Sequence, residues 1–174
     1  GWHFSAELVY QFGDVSTTDL EAWAFEGFVG HTWDTPTNPG IHFGVTLATG
    51  EDFSNSDADT FFALSGEVHP RLGLGDWIDA SNIVAYNLGY TGSKDNHSWG
   101  VDLFKFDLEE DNGGEDDLGF EVDLWYNYQY SKNLVAQFAI AWFDEGNLIQ
   151  DSNDVFGISS DNALRLYANL LVRF

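Results

Sequence analysis

Cysteine and methionine are both absent from this chain of 174 residues. Without cysteine there is no disulfide framework, no thiol nucleophile and no thiolate metal site. Basic residues are scarce, since 6 Lys and Arg stand against 29 Asp and Glu, for a formal net charge of −23. Phosphate recognition requires a cationic surface, so a nucleic-acid partner is excluded and polyanionic substrates are disfavoured. No run approaches the roughly 18 apolar residues of a membrane-spanning helix.

Catalytic and cofactor motifs are missing as well. There is no Gly-x-Ser-x-Gly elbow and no singled-out Ser/His pair, so neither an enzyme nor a cofactor is expected. The histidines show no paired i, i+4 spacing, and no metal site is predicted from them. The chain has no initiator Met and no secretory leader, so Gly1 is expected to mark a processed chain or a piece of a longer one. The five histidines are His3, His31, His42, His69 and His97.

What the chain does contain is alternation of apolar and polar residues with the period of a β-strand. The clearest case is 120–130, where Phe, Val, Leu and Tyr alternate with Glu, Asp, Trp, Asn and Gln. One segment, 98–108, changes phase, which predicts a β-bulge near Leu103. The eight predicted strands cover 2–12, 21–33, 41–49, 82–90, 98–108, 120–130, 134–142 and 163–174.

Short and long connections alternate between these segments. "DTPTNPG", "GSKDNHS" and "SKN" are short, whereas the connections after the third, fifth and seventh strands are long and acidic. Outer-membrane barrels have this asymmetry, with short periplasmic turns and longer extracellular loops. The sequence therefore predicts one all-β domain over 1–174, an antiparallel transmembrane β-barrel in which about eight strands are seen. A soluble β-sandwich is the alternative, but it does not require loops sorted by length.

Aromatic residues gather at the strand ends on the periplasmic side of this arrangement. Trp and Tyr are enriched at both interfaces of a membrane, where their rings sit at headgroup level. A girdle at the bilayer surface is therefore predicted. Its members are Trp2, Trp33, Tyr90, Trp99, Tyr128, Tyr130 and Phe174.

The opposite face of the strands is expected to line a pore. Acids outnumber bases there, and buried unpaired carboxylates would cost several kcal/mol each. A hydrated lumen wider than eight strands can enclose is therefore favoured, and its acids would attract cations and repel anions. Solvated carboxylates without a selectivity role are the alternative. The predicted pore-lining residues are Glu7, Glu26, Asp102, Lys105, Asp107, Glu121, Asp123, Arg165 and Arg173.

Three connecting stretches are rich in carboxylates: 51–59, 107–117 and 144–154. Oxygen ligands of this kind can bind divalent cations, which also bridge lipopolysaccharide, although none of the stretches has EF-hand spacing. Solvated loops are the favoured interpretation. The segment 60–77 is too apolar for an ordinary exposed loop, and it is predicted either to fold inward as a constriction, to cover the barrel mouth or to be a plain structural loop.

Five stretches, in order along the chain, resemble the bacterial alginate export family of outer-membrane barrels. They are "AELVYQFGD", "AWAF", "GVTLATGEDFSNSDADTFFAL", "LGFEVDLWYNYQYSKNLVAQFAIAWF" and "LRLYANLLVRF". Family members are wider barrels, and the resemblance falls on their C-terminal part. It implies the C-terminal portion of such a barrel, or a shortened relative, in the outer membrane of a Gram-negative bacterium.

Three functions are compatible with these patterns. The acids favour a porin-like channel for passive passage of cations or small neutral solutes. The resemblance implies export of an alginate-like polysaccharide. A non-conducting barrel that docks envelope proteins through its acidic loops is the third. The expected partners are the lipid bilayer and lipopolysaccharide, with divalent cations at the loops and envelope proteins as further candidates.

Overall fold

The computed structural model describes residues 1–54, 57–62, 72–151 and 162–173. Eight antiparallel strands form one sheet, in which the strands lie side by side in chain order. This confirms the predicted all-β, antiparallel architecture. In the described part of the chain no helix has the length and apolar character needed to cross a membrane. The elements are β1 (Trp2–Val15), β2 (Thr18–Thr32), β3 (Gly40–Ala48), β4 (Ile83–Lys94), β5 (His97–Asp107), β6 (Asp117–Ser131), β7 (Leu134–Glu145), α1 (Asn147–Asp151) and β8 (Asn162–Val172).

The connections differ in length between the two ends of the strands. At one end, called the short-turn end, residues 33–39, 95–96 and 132–133 connect the strands. At the other, the long-loop end, the connections after β3, β5 and β7 are longer. The β1–β2 connection is an exception, because it lies at the long-loop end yet contains only Ser16 and Thr17. Ser16 adopts a φ of 63°, as such a tight turn requires.

One face of the sheet is hydrocarbon from edge to edge, and we call it the apolar face. Paired residues of adjacent antiparallel strands share a face. A single row of such partners crosses all eight strands without a polar residue. Six of these side chains are exposed, including Phe4 at 84%. Water-soluble proteins rarely expose so large an apolar patch, whereas lipid accommodates it. The row is Phe4, Val29, Phe43, Leu88, Leu103, Val122, Trp142 and Leu164.

The opposite face of the sheet is called the polar face. The row of partners next to the apolar row points to this face, and its residues are mostly polar or small. Its eight partners include two aspartates, one arginine and two histidines, and glycine occupies two of the other positions. Such a face suits a hydrated interior rather than lipid. The row runs His3, Gly30, His42, Gly89, Asp102, Asp123, Ala141 and Arg165.

Towards the long-loop end, the polar face becomes a packed apolar cluster. Phe104, Phe106 and Phe143 are buried there beside Ala85 and Ile83. Leu72 and Ile78, from the β3–β4 connection, pack against the same cluster. We call residues 72–78 the inward segment. The predicted inward fold of 60–77 is therefore found for its described C-terminal part, while residues 63–71 lie outside the described residues.

The predicted bulge near Leu103 is wrong. The β4–β5 register is continuous from Val84 to Lys94, and the irregularity lies between Phe106 and Asp107, where β5 pairs with β6. The apparent phase change arises because Phe104 and Phe106 point to the polar face, where the inward segment and its neighbours bury them. Apolar side chains thus occupy both faces of this part of β5.

Candidate functional site

Three side chains from different strands meet at the middle of the polar face. His42 Nε2 on β3 lies 2.8 Å from Asp102 Oδ1 on β5. The indole N–H of Trp125 on β6 donates a hydrogen bond of 2.9 Å to Asp102 Oδ2. The ring of Phe28 on β2 lies 5.2 Å from the His42 ring. One carboxylate therefore fixes the orientation of both an imidazole and an indole.

Glycines on the intervening strands make these contacts possible. Gly89 on β4 separates His42 from Asp102, and a Cβ added to it would lie 2.2 Å from Asp102 Oδ1 and from His42 Cε1. A Cβ on Gly100 would lie 2.4 Å from the Trp125 ring. The absence of a side chain lets the neighbouring larger group extend across the strand.

Two clefts open on either side of Trp125. The first, which we call the His42 cleft, has a volume of 480 Å³ and includes Glu26, Phe28, His42, Asn87, Asp102 and Trp125 in its wall. The second, the Tyr167 cleft, has a volume of 490 Å³ and extends from Leu74 towards the short-turn end past Asn127, Gln137, Tyr167 and Asn169. Both volumes fall in the range of small-ligand pockets. Asp102 and Trp125 belong to both clefts.

The inward segment is held on the polar face by two buried carboxylates of β6. Leu74 N donates a hydrogen bond of 2.8 Å to Asp123 Oδ2, and Gly75 N donates one of 2.8 Å to Glu121 Oε1. Glu121 is 0% and Asp123 is 1% exposed. These hydrogen bonds from main-chain N–H groups anchor a segment that has no helix or strand of its own.

Glycines also let the inward segment approach Glu121 closely. Gly73 has a φ of +90°, a conformation that side chains disfavour, and a Cβ there would lie 2.3 Å from Glu121 Oε1. A Cβ on Gly75 would lie 1.9 Å from the Trp77 indole nitrogen. The two glycines of "GLGDW" therefore leave the space that the Glu121 carboxylate and the Trp77 ring occupy.

The same segment is also bound to β8. Arg165 donates from one guanidinium nitrogen to Gly75 O at 2.6 Å and to Asp76 Oδ2 at 3.2 Å. The Tyr167 hydroxyl donates to Leu74 O. The inward segment thus bridges β6 and β8, and it covers the polar face between them at the long-loop side of the Tyr167 cleft.

The predicted pore-lining residues fall into separate groups in the structure. Asp102, Glu121, Asp123 and Arg165 come together around the Tyr167 cleft and the inward segment. Glu7 and Glu26 are paired on β1 and β2, and Glu26 also lines the His42 cleft. Arg173 follows β8, and its main-chain N–H donates to Asn133 O at 2.9 Å.

Lys105 and Asp107 require a correction. The register pairs Lys105 with Tyr86 and Phe120, which places it and Asp107 on the apolar face rather than with Asp102. Lys105 Nζ lies 2.5 Å from Asp107 and 2.6 Å from Asp117. Since β5 continues without a shift through Leu103, the expected change of face does not occur. The three charges instead mark the long-loop border of the apolar face.

The predicted girdle residues that the structure describes lie towards the short-turn end of the apolar face. Trp2 and Trp33 each contact the ring of His31 edge-on, at 4.8 and 4.7 Å between ring centroids. Their function at a bilayer surface stays a prediction. Phe174 lies outside the described residues. The other members are Tyr90, Trp99, Tyr128 and Tyr130.

Hydrogen bonds of main-chain and side-chain groups connect and order the acidic loops. Asn112 Nδ2 donates to Glu51 O at 2.8 Å, and its Oδ1 accepts from Phe53 N at 3.0 Å. Glu109 accepts from Gly50 N at 3.0 Å. Two hydrogen bonds from Ser54 lower the pKa of the Asp52 carboxyl. The described residues contain no cluster of three or more metal-ligating side chains, and divalent cations or lipopolysaccharide at these loops stay a prediction.

Sequence reasoning missed the most organised part of the site. The contacts of Asp102 with Trp125 and with His42 were not predicted, although the alternation of β6 already places Trp125 among the acids. An inward Trp beside Glu121 and Asp123 was the available signal. Its partner Gly100 could be recognised only after the β5–β6 register was known.

A comparison with known families decides the identity of the fold. The family profile described as alginate export matches residues 1–158. The chain belongs to the alginate export family. No curated protein matches the chain. The match covers β1 to β7 and α1, and it agrees with the apolar and polar faces of the sheet.

Members of the alginate export family are outer-membrane β-barrels that transport material. The chain is therefore an all-β transmembrane barrel protein of the bacterial outer membrane. In such barrels the lipid-facing surface is apolar and the interior is polar, and the two faces of this sheet differ in the same way. Outer-membrane barrels in general have long extracellular loops and short periplasmic turns, and the two ends of this sheet show the same difference in length.

Proposed function

We propose that this chain forms part of the wall of an outer-membrane channel that exports a polysaccharide. The alginate export family match over 1–158 is the observation that carries this proposal. The polar face supports it, because carboxylates, amides and aromatic rings line two clefts of 480 and 490 Å³. The hydroxyl groups of a glycan need hydrogen-bonding partners, and the apolar faces of its sugar rings pack on aromatic side chains.

The clefts and the inward segment suggest the order of events along the path. A chain that enters from the periplasm first meets the amides Asn127, Gln137 and Asn169 at the short-turn side of the Tyr167 cleft. It then reaches Trp125 and the inward segment. Because the segment donates hydrogen bonds to β6 and accepts one from β8, it is held on the polar face and acts as a constriction that narrows the passage before the extracellular side.

Passive passage of cations or small neutral solutes is the second candidate function. Asp102 supplies negative charge on the polar face, beside the buried acids Glu121 and Asp123, and such charge concentrates cations. Arg165 lies near these acids, and its guanidinium group is paired with Asp76 at 3.2 Å. This candidate needs only a hydrated lumen, and no specific contact with a glycan.

Reconstitution of the full-length protein distinguishes these functions. Planar-bilayer recording measures conductance, and proteoliposomes loaded with fluorescently labelled oligosaccharides measure their release. Export predicts that glycans enter the lumen, block the current transiently and leave the vesicles. Cation-selective current without glycan block or release would contradict export and favour passive passage. A folded protein that shows neither current nor release would contradict both and favour the docking function.

The two edges of the sheet carry a further requirement. In the described residues β1 pairs only with β2, and β8 only with β7. Backbone N–H and C=O groups at membrane depth must be hydrogen-bonded, because lipid offers no partner. In the assembled channel these two edges must therefore pair with each other or with further strands.

A further inference from the structure

We propose that Trp125 is the stacking platform of a glycan-binding subsite that accepts neutral or amino-sugar units and disfavours uronates. This inference rests on the proposed export function and names the class of sugar that the site fits. The subsite comprises Trp125 together with the Asp102 carboxylate and the amides of the Tyr167 cleft.

The geometry of Trp125 fits a fixed stacking surface for a sugar ring. Its indole N–H is already bound to Asp102, which fixes the ring, and the ring lies across Gly100. Its other strand neighbour is the small Ala139. The side chain is half-buried and borders both clefts. A rigid, partly exposed aromatic surface between two openings is suited to the apolar face of a pyranose ring.

The amides around the Trp125 ring can supply hydrogen bonds to the hydroxyl groups of a sugar. Asn127, Gln137 and Asn169 line the Tyr167 cleft beside Trp125. Each amide offers two donors and one acceptor, which matches hydroxyl groups that both donate and accept. A sugar ring on Trp125 would thus have partners for its equatorial hydroxyls along the short-turn side of the cleft.

Charge selects among sugars. The Tyr167 cleft is bordered by the carboxylate of Asp102 and by the buried acid Asp123, and its described lining contains no Lys or Arg. Arg165 lies 5.0 Å over the Tyr167 ring, where its charge is paired with Asp76. The His42 cleft adds Glu26, with His42 already paired to Asp102. A uronate carboxylate would enter the field of like charges, whereas a neutral ring avoids the repulsion and a protonated amine is attracted. We expect uronate oligomers to bind about tenfold more weakly than neutral ones, a difference of about 1.4 kcal/mol.

The test uses the full-length protein in planar bilayers with three probes of equal length: the hexamers of β-1,4-linked glucose, glucosamine and mannuronate. The glucose and glucosamine hexamers should block the current at about tenfold lower concentration than the mannuronate hexamer. Trp125→Leu should raise the blocking concentration of the glucose hexamer about tenfold. Trp125→Phe, which keeps a ring but loses the bond to Asp102, should have a smaller effect.

Trp99→Leu is the matched control. Trp99 lies over Gly92 on the apolar face much as Trp125 lies over Gly100 on the polar face, with a Cβ on Gly92 at 2.7 Å from the ring. Its replacement should leave glycan block unchanged. Heat-dependent gel mobility reports whether each variant is folded.

The outcomes separate the subsite from the export function. If the mannuronate hexamer blocks the current as well as the other two hexamers do, the subsite is wrong while export stands. The same conclusion follows if the glucose hexamer blocks Trp125→Leu and Trp125→Phe at the same concentration as the unmodified protein. If none of the three hexamers blocks the current or leaves loaded vesicles, the export function itself fails, and the subsite with it.

Discussion

The main-chain N–H of Gly75 donates a 2.8 Å hydrogen bond to the carboxylate of Glu121, which is wholly buried on the polar face. This bond joins a loop segment to the central part of the sheet, 46 residues further along the chain. A neighbouring bond from Leu74 N to Asp123 strengthens the attachment. The position of the inward segment thus depends on carboxylates that strand alternation alone would assign to an open pore.

Replacement of Glu121 should release the inward segment. Glu121→Ala removes the acceptor and leaves the Gly75 N–H without it, at a cost of about 1–3 kcal/mol. We expect larger single-channel conductance and faster proteolysis within 72–78. Glu115→Ala, a change of another acid in the exposed β5–β6 connection, is the control and should alter neither. An unchanged conductance in a folded Glu121→Ala protein would show that the segment does not restrict the passage.

The attachment to β8 is tested separately by Tyr167→Phe. This change removes the hydroxyl that donates to Leu74 O and keeps the ring. The loss of one such bond corresponds to about 1 kcal/mol. Amide hydrogen exchange in the inward segment should become about fivefold faster, since 1.4 kcal/mol is a factor of ten. Tyr130→Phe, at an exposed position, is the control. Equal exchange in both variants would contradict an anchoring function of Tyr167.

Much of the sheet could be predicted because apolar and polar residues alternate within each strand, and this pattern is visible in the sequence of that strand alone. β6 and β8 have the predicted apolar faces, and all eight strands have the predicted order. β5 was misread at Phe104 and Phe106, because period-two reasoning assumes that only one face is apolar. These rings are buried beneath residues more than 20 positions away in sequence, such as Leu72, and no pattern within the strand shows that contact.

The site was less predictable than the sheet for a similar reason. The acids Asp102, Glu121 and Asp123 could be assigned to the polar face from their spacing. The spacing could not show that these acids have different partners. Asp102 binds side chains, whereas Glu121 and Asp123 bind the main chain of the inward segment. Such distinctions depend on register and on the path of a long loop, which a single strand does not encode.

Glycine at position 89 should be essential to the contact between His42 and Asp102. In Gly89→Ala the new Cβ would lie 2.2 Å from atoms of both side chains, so the pair must separate. Overpacking of this kind costs about 1–3 kcal/mol. Gly44→Ala is a matched control on the same face, because its nearest neighbour would be at 3.6 Å. Denaturant unfolding in detergent micelles should therefore show a loss for the first variant and almost none for the second. Similar stabilities would mean that β4 shifts to accommodate the methyl group.

Asn112 joins two acidic loops at the long-loop end, and its replacement should loosen them. Asn112→Gly keeps a residue that tolerates its φ of 51°, and it removes both side-chain hydrogen bonds to 51–53. We expect amide exchange at Phe53 to accelerate about tenfold while the strands are unaffected. Asn133→Gly, in the turn at the opposite end of the sheet, provides the comparison. Unaltered exchange at Phe53 would indicate that other contacts hold the loops together.

Lys105 should stabilise the long-loop border of the apolar face by separating two carboxylates. Its ammonium group lies 2.5 Å from Asp107 and 2.6 Å from Asp117, and all three side chains are partly exposed. Lys105→Ala leaves the like charges facing each other, and we expect a loss of about 1 kcal/mol in unfolding free energy because solvent screens part of the interaction. Adding Asp117→Asn should recover part of this loss by removing one charge. Lys132→Ala, in the exposed β6–β7 turn, should have no effect. If the double variant is less stable than Lys105→Ala alone, the carboxylate of Asp117 contributes chiefly through its hydrogen bond from Gly119 N at 2.9 Å rather than through Lys105.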